Sequence, residues 1–268
     1  MKQDCIPFLR WPGGKRWISD EIVRNICKAE YTRYVEPFLG GGAVFFQLQP
    51  NNAILSDLNN ELVETYKTVK TSSDELIDKL KALPVSKEKY YEIRQWKPES
   101  SLDVAVRFLY LNRLAFAGMY RVNSKGQFNV PYGDGRRVNI LWEKNMISHA
   151  SKVLQRANIV SSDFNDIMRD TGHGDIVYCD PTYTASHNNN GFIRYNENVF
   201  KWEDQIRLAQ AALGAVGRGA TVIVSNAAHD AIAKLYPVKP ITVSRHTCIS
   251  RSPHGRKLVD EFIFYLRP

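Results

Sequence analysis

The sequence predicts an α/β fold whose sheet is interrupted by a mostly helical insertion that carries a β-hairpin. Two observations support this prediction. Apolar strand-like runs alternate with helical patterns before residue 60 and again after residue 157, as expected of βαβ units. Between them, residues 61–156 show helical periodicity and one hairpin signal. We therefore divide the chain into one domain formed by 1–60 and 157–268 and an insertion at 61–156.

The first part of the domain is predicted to contain one strand–helix–strand unit. A helix with one apolar face is expected from about Lys15 to Ala29, followed by a short strand over 34–36. A glycine turn leads into an apolar helix that starts at Ala43, and a second strand over 53–57 ends in an acid, Asp57. This order of glycine turn and terminal acid is typical of nucleotide-binding βαβ units.

Periodicity also predicts the elements of the insertion and of the second part of the domain. In the insertion, helices are expected over 60–71, 73–82, 86–96, 102–116 and about 141–155, with a hairpin over 121–133 that turns at 124–126. After it, strands are expected over 158–161, 175–179, 221–225, 240–246 and 260–266, and helices over 203–215 and 229–235. The last two strands are expected to form a closing antiparallel pair.

The composition excludes several classes of protein. With 44% hydrophobic and 24% charged residues, the chain is neither disordered, nor collagen-like, nor a disulfide-dense small domain. No apolar run approaches the roughly 18–20 residues of a membrane span, and residues 1–11 lack the apolar segment of a secretory signal. Four scattered cysteines favour reduced thiols in a cytoplasm. The net charge of +8 suggests a polyanionic partner, although many basic proteins bind no nucleic acid.

The glycine turn, EPFLGGG at 36–42, is the first candidate for a functional site. Glycines allow the backbone to turn sharply and to approach a ligand closely. Asp57, at the end of the next strand, can accept hydrogen bonds from both hydroxyls of a ribose. Together these features favour a nucleoside cofactor, but glycine-rich turns also occur where a helix simply packs on a sheet.

The second candidate, YCDPTY at 178–183, follows a hydrophobic strand. Open α/β sheets bind ligands at the carboxyl ends of their strands. There, the Asp180 carboxylate and the Pro181 carbonyl can accept both hydrogens of an exocyclic amine, and the Tyr183 ring can stack on the base that bears it. The alternative is that the Asp-Pro pair only forms a turn.

A third candidate, RWPGGK at 10–15, precedes the first predicted helix. A helix N-terminus favours anions, so this loop can cover a carboxylate or a nucleoside. The alternative is an ordinary turn with a proline near the helix start and a surface lysine.

Eight segments occur in a fixed order along the chain: RWPGGK, VEPFLGGGAVFF, SDLN, FLYLNR, GQFNVPYG, SSDF, YCDPTY and VSN. In this order they resemble the Dam-type DNA adenine-N6 methyltransferases, whose recognition insert lies between the cofactor motif and the DPPY-like motif. The resemblance extends from about Phe8 to Tyr265. It implies a Rossmann-like S-adenosylmethionine-dependent methyltransferase sheet with a DNA-recognition insertion at 61–156.

The resemblance implies S-adenosylmethionine as methyl donor, S-adenosylhomocysteine as product and no metal. Asp57 matches the ribose-binding acid, and Asp163 and Phe164 match the pair beside the cofactor adenine. The residues that match cofactor-binding positions are Trp11, Lys15, Phe38, Gly40, Asp57, Asp163, Phe164 and Asp180.

Asp180, Pro181 and Tyr183 match the catalytic motif of the family. In this role the carboxylate and the carbonyl hold the N6 hydrogens, so that the lone pair of N6 points at the sulfonium methyl for one in-line transfer. The target adenine lies inside a duplex and has to be flipped out, with Tyr183 stacking on it. Thr182 replaces the usual second proline of the motif, but the Pro181 carbonyl is kept.

The resemblance also implies double-stranded DNA as partner. Arg121 can read a guanine bidentately, and Met119 can either wedge between base steps or simply pack. GATC is the implied target, while Ala117 and Gly135 replace polar or aromatic contact positions and leave the exact target open. The expected DNA-binding residues are Arg10, Met119, Arg121, Asn123, Lys125, Pro131, Arg136 and Arg137. For Lys125, Arg136 and Arg137 we expect phosphate contacts, with a solvated basic loop as the alternative.

Two other functions stay open at this point. An N4-cytosine methyltransferase has a similar motif that usually begins with Ser, so Asp180 disfavours it. A catalytically silent DNA-binding module is disfavoured by the intact Asp57 and Asp180. No membrane partner is expected, and the sequence cannot show whether a cognate restriction endonuclease accompanies the chain. We expect 184–200, rich in Asn and Gly, to close over the site when DNA binds, with a static surface loop as the alternative.

Overall fold

Helices and strands follow one another along the chain nearly as predicted. The computed structural model describes residues 5–123, 125–133, 145–184, 200–246 and 258–268. The helices are α1 (Ser19–Ile26), α2 (Ala43–Leu48), α3 (Asn60–Thr71), α4 (Ser73–Ala82), α5 (Lys87–Gln95), α6 (Ser101–Leu114), α7 (Met146–Leu154), α8 (Phe164–Arg169), α9 (Trp202–Gly217) and α10 (Asp230–Ala233). A 3₁₀ turn covers Phe116–Gly118. The strands are β1 (Arg33–Glu36), β2 (Ala53–Asp57), β3 (Ala157–Ser161), β4 (Asp175–Cys179), β5 (Thr221–Ala227), β6 (Ile241–His246) and β7 (Leu258–Leu266).

The described strands form a seven-stranded sheet in the order β3-β2-β1-β4-β5-β7-β6. The pairs β2–β3, β1–β4 and β4–β5 are parallel, and β7 is antiparallel to both β5 and β6. Parallel strands joined through helices confirm the predicted α/β class, and the final antiparallel pair is the one expected from the sequence. None of the helices within the described ranges is long and apolar enough to cross a membrane.

The chain divides into two compact units, Met1–Ala29 with Leu39–Ser161 and Glu30–Phe38 with Ser162–Pro268. In the first unit, polar caps determine where two long helices begin. The Asn59 side chain accepts a backbone N–H at the start of α3, and the Ser100 side chain does so at the start of α6. Every residue of α6 from Ala105 to Leu114 is buried. This burial explains why apolar residues occupy four successive positions at the start of the segment FLYLNR.

Helix α1 is shorter than predicted, since it begins at Ser19 and not near Lys15. The preceding residues form turns. The Gly14 N–H bonds to the Trp11 carbonyl, and Gly13 has a φ of +74°, which is incompatible with a right-handed helix. The loop RWPGGK is therefore a structure of its own ahead of the helix.

In the second unit, three parallel strands are buried almost along their whole length. All of β4 is buried, and β5 is buried from Val222 to Ala227. Val35 of β1 lies beside Val177 of β4, and Cys179 of β4 lies beside Val224 of β5. The carboxyl ends of β1, β4 and β5 therefore lie at one edge, which is where parallel sheets bind ligands.

Candidate active site

Asp180 directly follows β4, and a residue of the neighbouring strand β5 holds its carboxylate. The Ser225 hydroxyl donates to Asp180 Oδ1 over 2.8 Å, and the Tyr178 hydroxyl lies 3.0 Å from Ser225 Oγ. A serine hydroxyl carries one hydrogen, so Ser225 accepts from Tyr178 when it donates to Asp180. Burial, together with the negative charge of Asp180, raises the pKa of Tyr178 well above its ordinary value, which keeps its hydroxyl protonated. This chain of hydrogen bonds sets the direction of the Asp180 carboxylate.

Tyr183, three residues further on, is held at its hydroxyl. The hydroxyl donates to Glu261 Oε2 over 2.9 Å, and Arg245 Nε donates to Glu261 Oε1 over 2.8 Å. Burial raises the pKa of Tyr183 well above its ordinary value, and the negative charges of Asp180 and Glu261 add to this effect. The phenol therefore stays a hydrogen-bond donor at neutral pH.

The segment from Asp180 to Tyr183 thus combines the groups that an aromatic amine requires. Asp180 offers an oriented carboxylate, Pro181 offers a backbone carbonyl on a rigid residue, and Tyr183 offers a ring whose hydroxyl is anchored. Two acceptors can take both hydrogens of an exocyclic amine, and the ring can stack on the heterocycle that bears it.

A cluster of three phenylalanine rings in the same unit contains two of the predicted cofactor residues. The ring of Phe38 stacks on that of Phe164 with centroids 5.3 Å apart, and Phe200 packs edge-on against Phe38 at 5.6 Å. The guanidinium of Arg207 lies 5.0 Å over the Phe164 ring and donates to Asp163 Oδ1 over 2.8 Å. Asp163 also caps the start of α8, so its carboxylate fixes the helix that carries Phe164.

Asp57, at the end of β2 in the first unit, is bound by backbone groups. Its Oδ2 accepts the Gly40 N–H and its Oδ1 accepts the Asn59 N–H, each over 3.0 Å. Burial raises the pKa of Asp57, and these backbone hydrogen bonds oppose that shift. Gly40 has a φ of +45°, and a Cβ at this position would lie 2.8 Å from the ring of Trp11. Only glycine allows this close approach, which brings together three predicted cofactor residues.

An aromatic stack links Trp11 to the start of the hairpin segment. The Trp11 and Tyr120 rings stack with centroids 5.1 Å apart, and the Tyr120 hydroxyl hydrogen-bonds the Asn59 side chain. Burial raises the pKa of Tyr120 to about 12. Lys15 is also buried, and its ammonium donates to the Gly13 carbonyl over 2.9 Å. Trp11 and Lys15 therefore anchor the loop at 10–15 in the first unit, so the lysine is not a surface residue, whereas residues 12–14 between them form an exposed turn.

Helix α6 anchors Arg10, one of the expected DNA-binding residues. The Asn112 side chain accepts the Arg10 N–H over 3.0 Å and donates to the Arg10 carbonyl over 2.7 Å. Next to it, Arg113 donates to the Phe8 carbonyl. Burial, and the positive charges of Arg10 and Arg16 in addition, lower the pKa of Arg113 to about 10. This part of the first unit therefore concentrates positive charge.

The predicted hairpin is a tight loop in which local hydrogen bonds occupy several polar side chains. An antiparallel bridge joins Val122 to Phe128. Asn123 Oδ1 accepts the N–H groups of Lys125 and Gln127, each over 3.0 Å, so the side chain that was expected to approach DNA supports the turn.

Arg121 and the remaining expected DNA contacts differ in exposure. The Arg121 Nε donates to Asn129 Oδ1 over 2.7 Å. Pro131 and Lys125 are exposed, and Met119 is half-buried. Arg136, Arg137 and Gly135 lie outside the described residues, as does most of the segment at 184–200 that is expected to close over the site.

Several residues in these networks, including Arg207 beside Asp163 and Phe164, were not singled out by the sequence analysis. Ser225 lies in VSN, one of the ordered segments, but no feature of the sequence pairs it with Asp180. Glu261 had a detectable signal, because it is an acid inside the apolar strand LVDEFIFYL. Tyr120 and Arg245 gave no signal, because their partners are distant in sequence. Within the described ranges, no three His, Cys, Asp or Glu side chains cluster in a way that could hold a metal ion.

Comparisons with known proteins identify the family of this chain. A family model for D12 class N6 adenine-specific DNA methyltransferases matches residues 11–247. Among solved structures, TrmN from Thermus thermophilus is 11% identical, with 94% of this chain and 48% of that chain covered and a TM-score of 0.40, a likeness too low to bear on function.

The sequence relatives are much more similar. The Type II methyltransferase M.MjaIII of Methanocaldococcus jannaschii is 36% identical, covering 86% of this chain and 87% of its own. The Type II methyltransferase M1.LlaDCHI of Lactococcus lactis subsp. cremoris is 35% identical, covering 86% and 84%. The DNA adenine methylase of Escherichia coli K12 is 35% identical, covering 97% and 95%. The chain therefore belongs to the D12 class of N6 adenine-specific DNA methyltransferases.

Proposed function

We propose that this methyltransferase uses S-adenosylmethionine to methylate N6 of an adenine that is flipped out of duplex DNA, within the sequence GATC. The observation that supports this most strongly is the oriented carboxylate of Asp180, which receives a hydrogen bond from Ser225 over 2.8 Å at the end of β4. Asp180 is followed at once by the Pro181 carbonyl and the anchored ring of Tyr183. S-adenosylhomocysteine is the second product.

We propose two groups of residues for cofactor binding. In the first unit, the Asp57 carboxylate receives the ribose hydroxyls, and the turn at Gly40 allows close backbone approach beside Trp11 and Lys15. The fit is supported by the chemistry of Asp57, a half-buried acid that is held by two backbone N–H groups.

In the second unit, the stacked rings of Phe38 and Phe164 supply an apolar face for the cofactor adenine, with Asp163 fixing helix α8. When bound, the cofactor supplies an electrophilic sulfonium methyl.

For the chemical step, the residues of the chain position the amine and do not form a bond to it. The N6 lone pair of adenine is delocalised into the ring and is a weak nucleophile. Asp180 and the Pro181 carbonyl accept hydrogen bonds from the two N6 hydrogens, which directs the lone pair along one line. As N6 gains the methyl group, the bond from the methyl to the sulfonium sulfur breaks, and N6 then releases one proton to solvent. Tyr183 stacks on the flipped base and limits its rotation. Most of the rate enhancement then comes from orientation and electrostatics.

For DNA recognition, we propose that Arg121 reads one guanine of GATC through a bidentate contact in the major groove. Its hydrogen bond to Asn129 supports this role, since it orients the guanidinium fork. Lys125, Arg136 and Arg137 contact phosphates, and Met119 enters the gap left by the flipped base. Arg10 and Pro131 also approach the DNA. Asn123 approaches the DNA from the hairpin turn, which its carboxamide supports by accepting two backbone N–H groups.

We also propose that residues 1–60 and 157–268 form the catalytic domain and that 61–156 form the recognition insertion. All strands of the described seven-stranded sheet lie within 1–60 and 157–268, which supports this division. The four cysteines are scattered along the sequence, and those within the described ranges, Cys5, Cys27 and Cys179, are free, which supports a cytoplasmic enzyme.

Methyl transfer with a radiolabelled cofactor tests the proposed function directly. Three duplexes serve as substrates: one with a single GATC, one in which its guanine is replaced, and one in which its adenine is replaced. We expect label only in the first duplex, and nucleoside analysis should find it in N6-methyladenine. N4-methylcytosine, or equal labelling of all three duplexes, would contradict the proposal.

A further inference from the structure

Strand β7 contains a buried acid whose position the catalytic chemistry does not explain by itself. Glu261 is 1% exposed, and its two oxygens have different partners. Oε2 accepts the Tyr183 hydroxyl over 2.9 Å, and Oε1 accepts Arg245 Nε over 2.8 Å. The carboxylate thus joins the end of the catalytic motif to strand β6.

Placing a carboxylate here has a cost that an apolar residue would avoid. A buried charge has to be paired and hydrogen-bonded, and replacing such a pair by apolar side chains is often neutral or stabilising. Ile263 and Phe264, further along the same strand, are apolar and fully buried. Stability therefore does not explain why this position is Glu, whereas its contact with Tyr183 does.

The sequence of the catalytic motif gives a reason for such a contact. In the DPPY-like motif that this segment resembles, a second proline fixes the φ of the residue before the tyrosine. Here that residue is Thr182, which is exposed, so the backbone that leads into Tyr183 has one more free torsion. The hydrogen bond from the Tyr183 hydroxyl to Glu261 restricts the orientation of the Tyr183 ring, which the backbone at Thr182 leaves less constrained.

We propose that Glu261, with Arg245 as its counter-ion, is a positioning residue that holds the Tyr183 ring in the plane on which the target adenine stacks. This inference rests on the proposed function, in which Tyr183 is the stacking residue. Glu261 acts through Tyr183 and does not touch the base. The carboxylate accepts the phenol hydrogen on one oxygen while Arg245 compensates its charge on the other.

Three variants separate positioning from support of the fold. Tyr183→Phe keeps the ring and removes the hydroxyl, Glu261→Ala removes the acceptor, and Glu261→Gln keeps an acceptor oxygen at nearly the same place. We expect single-turnover methyl transfer to fall about tenfold in Tyr183→Phe and in Glu261→Ala, with KM for DNA changed less than about twofold. Glu261→Gln should stay within about threefold of the wild type, because the hydrogen bond from the Tyr183 hydroxyl persists.

The double variant and a fluorescent base provide readouts that a role in folding alone would not change. Tyr183→Phe/Glu261→Ala should be no slower than the slower single variant, because both remove one interaction. With 2-aminopurine at the target adenine, the flipped base should be brighter in both single variants than in the wild type, because stacking on a mobile ring quenches it less. Asp260→Asn is the matched control, since this neighbouring acid pairs with the exposed Ser244 over 2.6 Å.

A Tyr183→Phe enzyme with wild-type rate and wild-type 2-aminopurine signal would overturn the proposal, even if Glu261→Ala were slow or unstable. Additive losses in the double variant would overturn it as well. A wild-type enzyme that makes no N6-methyladenine would instead contradict the proposed function. The fluorescence comparison requires only DNA binding, so the two failures can be told apart.

Discussion

Side chains at the end of β4 are held from several directions, whereas those of the hairpin at 121–133 are held by their own loop. Asp180 and Tyr183 are bound by residues of other strands, 45 and 78 positions away in sequence. Arg121 is bound by Asn129, only eight positions away, and on an exposed surface. The two regions therefore differ in how far the rest of the fold constrains them.

This difference matches the different tasks that we assign to the two regions. Methyl transfer requires the amine to be aligned to within a fraction of an ångström, and alignment of that quality needs groups that are fixed before the substrate arrives. Reading a base edge requires a side chain that reaches out of the protein and adapts to DNA. Substitutions at the end of β4 should therefore change the rate, whereas substitutions in the hairpin should change the choice of DNA.

The largest effect is expected from Asp180→Ala, which removes the acceptor that directs N6. Methyl transfer should fall by at least about a hundredfold, while calorimetric affinity for the cofactor stays close to that of the wild type. Asp166→Ala is the control, since this acid of the same unit is exposed and pairs with Arg169. Appreciable residual transfer in Asp180→Ala would remove this residue from the catalytic step.

Asp57→Ala should act on cofactor binding and leave the choice of DNA unchanged. The loss of a charged acceptor for the ribose should weaken cofactor binding by about 1.5–3 kcal/mol, as measured by calorimetry. If the affinity of Asp57→Ala for the cofactor were unchanged, the ribose of the cofactor would have to bind elsewhere.

The pH dependence of cofactor binding sharpens this test. Burial raises the pKa of Asp57 above its ordinary value of 3.8, so its carboxylate is protonated at a higher pH than that of an exposed Asp. The charged carboxylate is the acceptor for the ribose hydroxyls, so affinity for the cofactor should fall on acidification. The fall should begin at a higher pH than the pKa of an ordinary Asp would give. In the folded state the raised pKa favours the protonated form, so acidification through it does not itself oppose folding. Asp57→Asn should remove this pH dependence, and an unaltered profile in that variant would assign it to another group.

Substitutions in the hairpin should change specificity. Arg121→Ala should reduce discrimination at one guanine by about 1–3 kcal/mol, measured as the ratio of rates on GATC and on a substituted duplex. Asn129→Ala should cause a smaller loss of discrimination at the same guanine, because the Arg121 guanidinium loses the hydrogen bond that orients it. Lys125→Ala should weaken binding to all duplexes alike and reduce the salt dependence. Equal weakening on cognate and non-cognate DNA in Arg121→Ala would make Arg121 a phosphate contact.

The smallest effect is expected from Ser225→Ala, which keeps Asp180 and removes one hydrogen bond to it. We expect kcat to fall about tenfold, with KM for both substrates nearly unchanged. Ser225→Thr, which keeps a hydroxyl, should recover part of this loss. An unchanged kcat in Ser225→Ala would mean that the Asp180 carboxylate is aligned without the hydrogen bond from Ser225 of β5.

Much of the fold could be predicted from the sequence because its signals are local. Strand β4 is a short apolar run that ends in Asp-Pro, and Asp57 closes a strand after a glycine turn, so both acids could be placed at strand ends. Ordered motifs then indicated the family. The start of α1 was placed too early, because Ile18, the first residue of the predicted apolar face, has a non-helical φ of −127° and precedes the first turn of the helix.

The partners of the catalytic residues could not be predicted in the same way. The bonds from Ser225 to Asp180 and from Tyr183 to Glu261 join residues that only the strand order brings together. The Tyr120 hydroxyl likewise bonds to Asn59, in a different part of the chain. Asn123 shows the opposite case. Its residue type suits DNA contact, but its carboxamide is used within the turn.

Mapping modified bases in cellular DNA tests the central claim most directly. The wild type and Asp180→Ala are each expressed in a host whose own DNA carries no N6-methyladenine, and the modified positions are identified by sequencing and nucleoside mass spectrometry. We predict N6-methyladenine at GATC sites with the wild type and none with Asp180→Ala. N4-methylcytosine, methylation without a site, or persistent methylation by the Asp180→Ala variant would contradict the account.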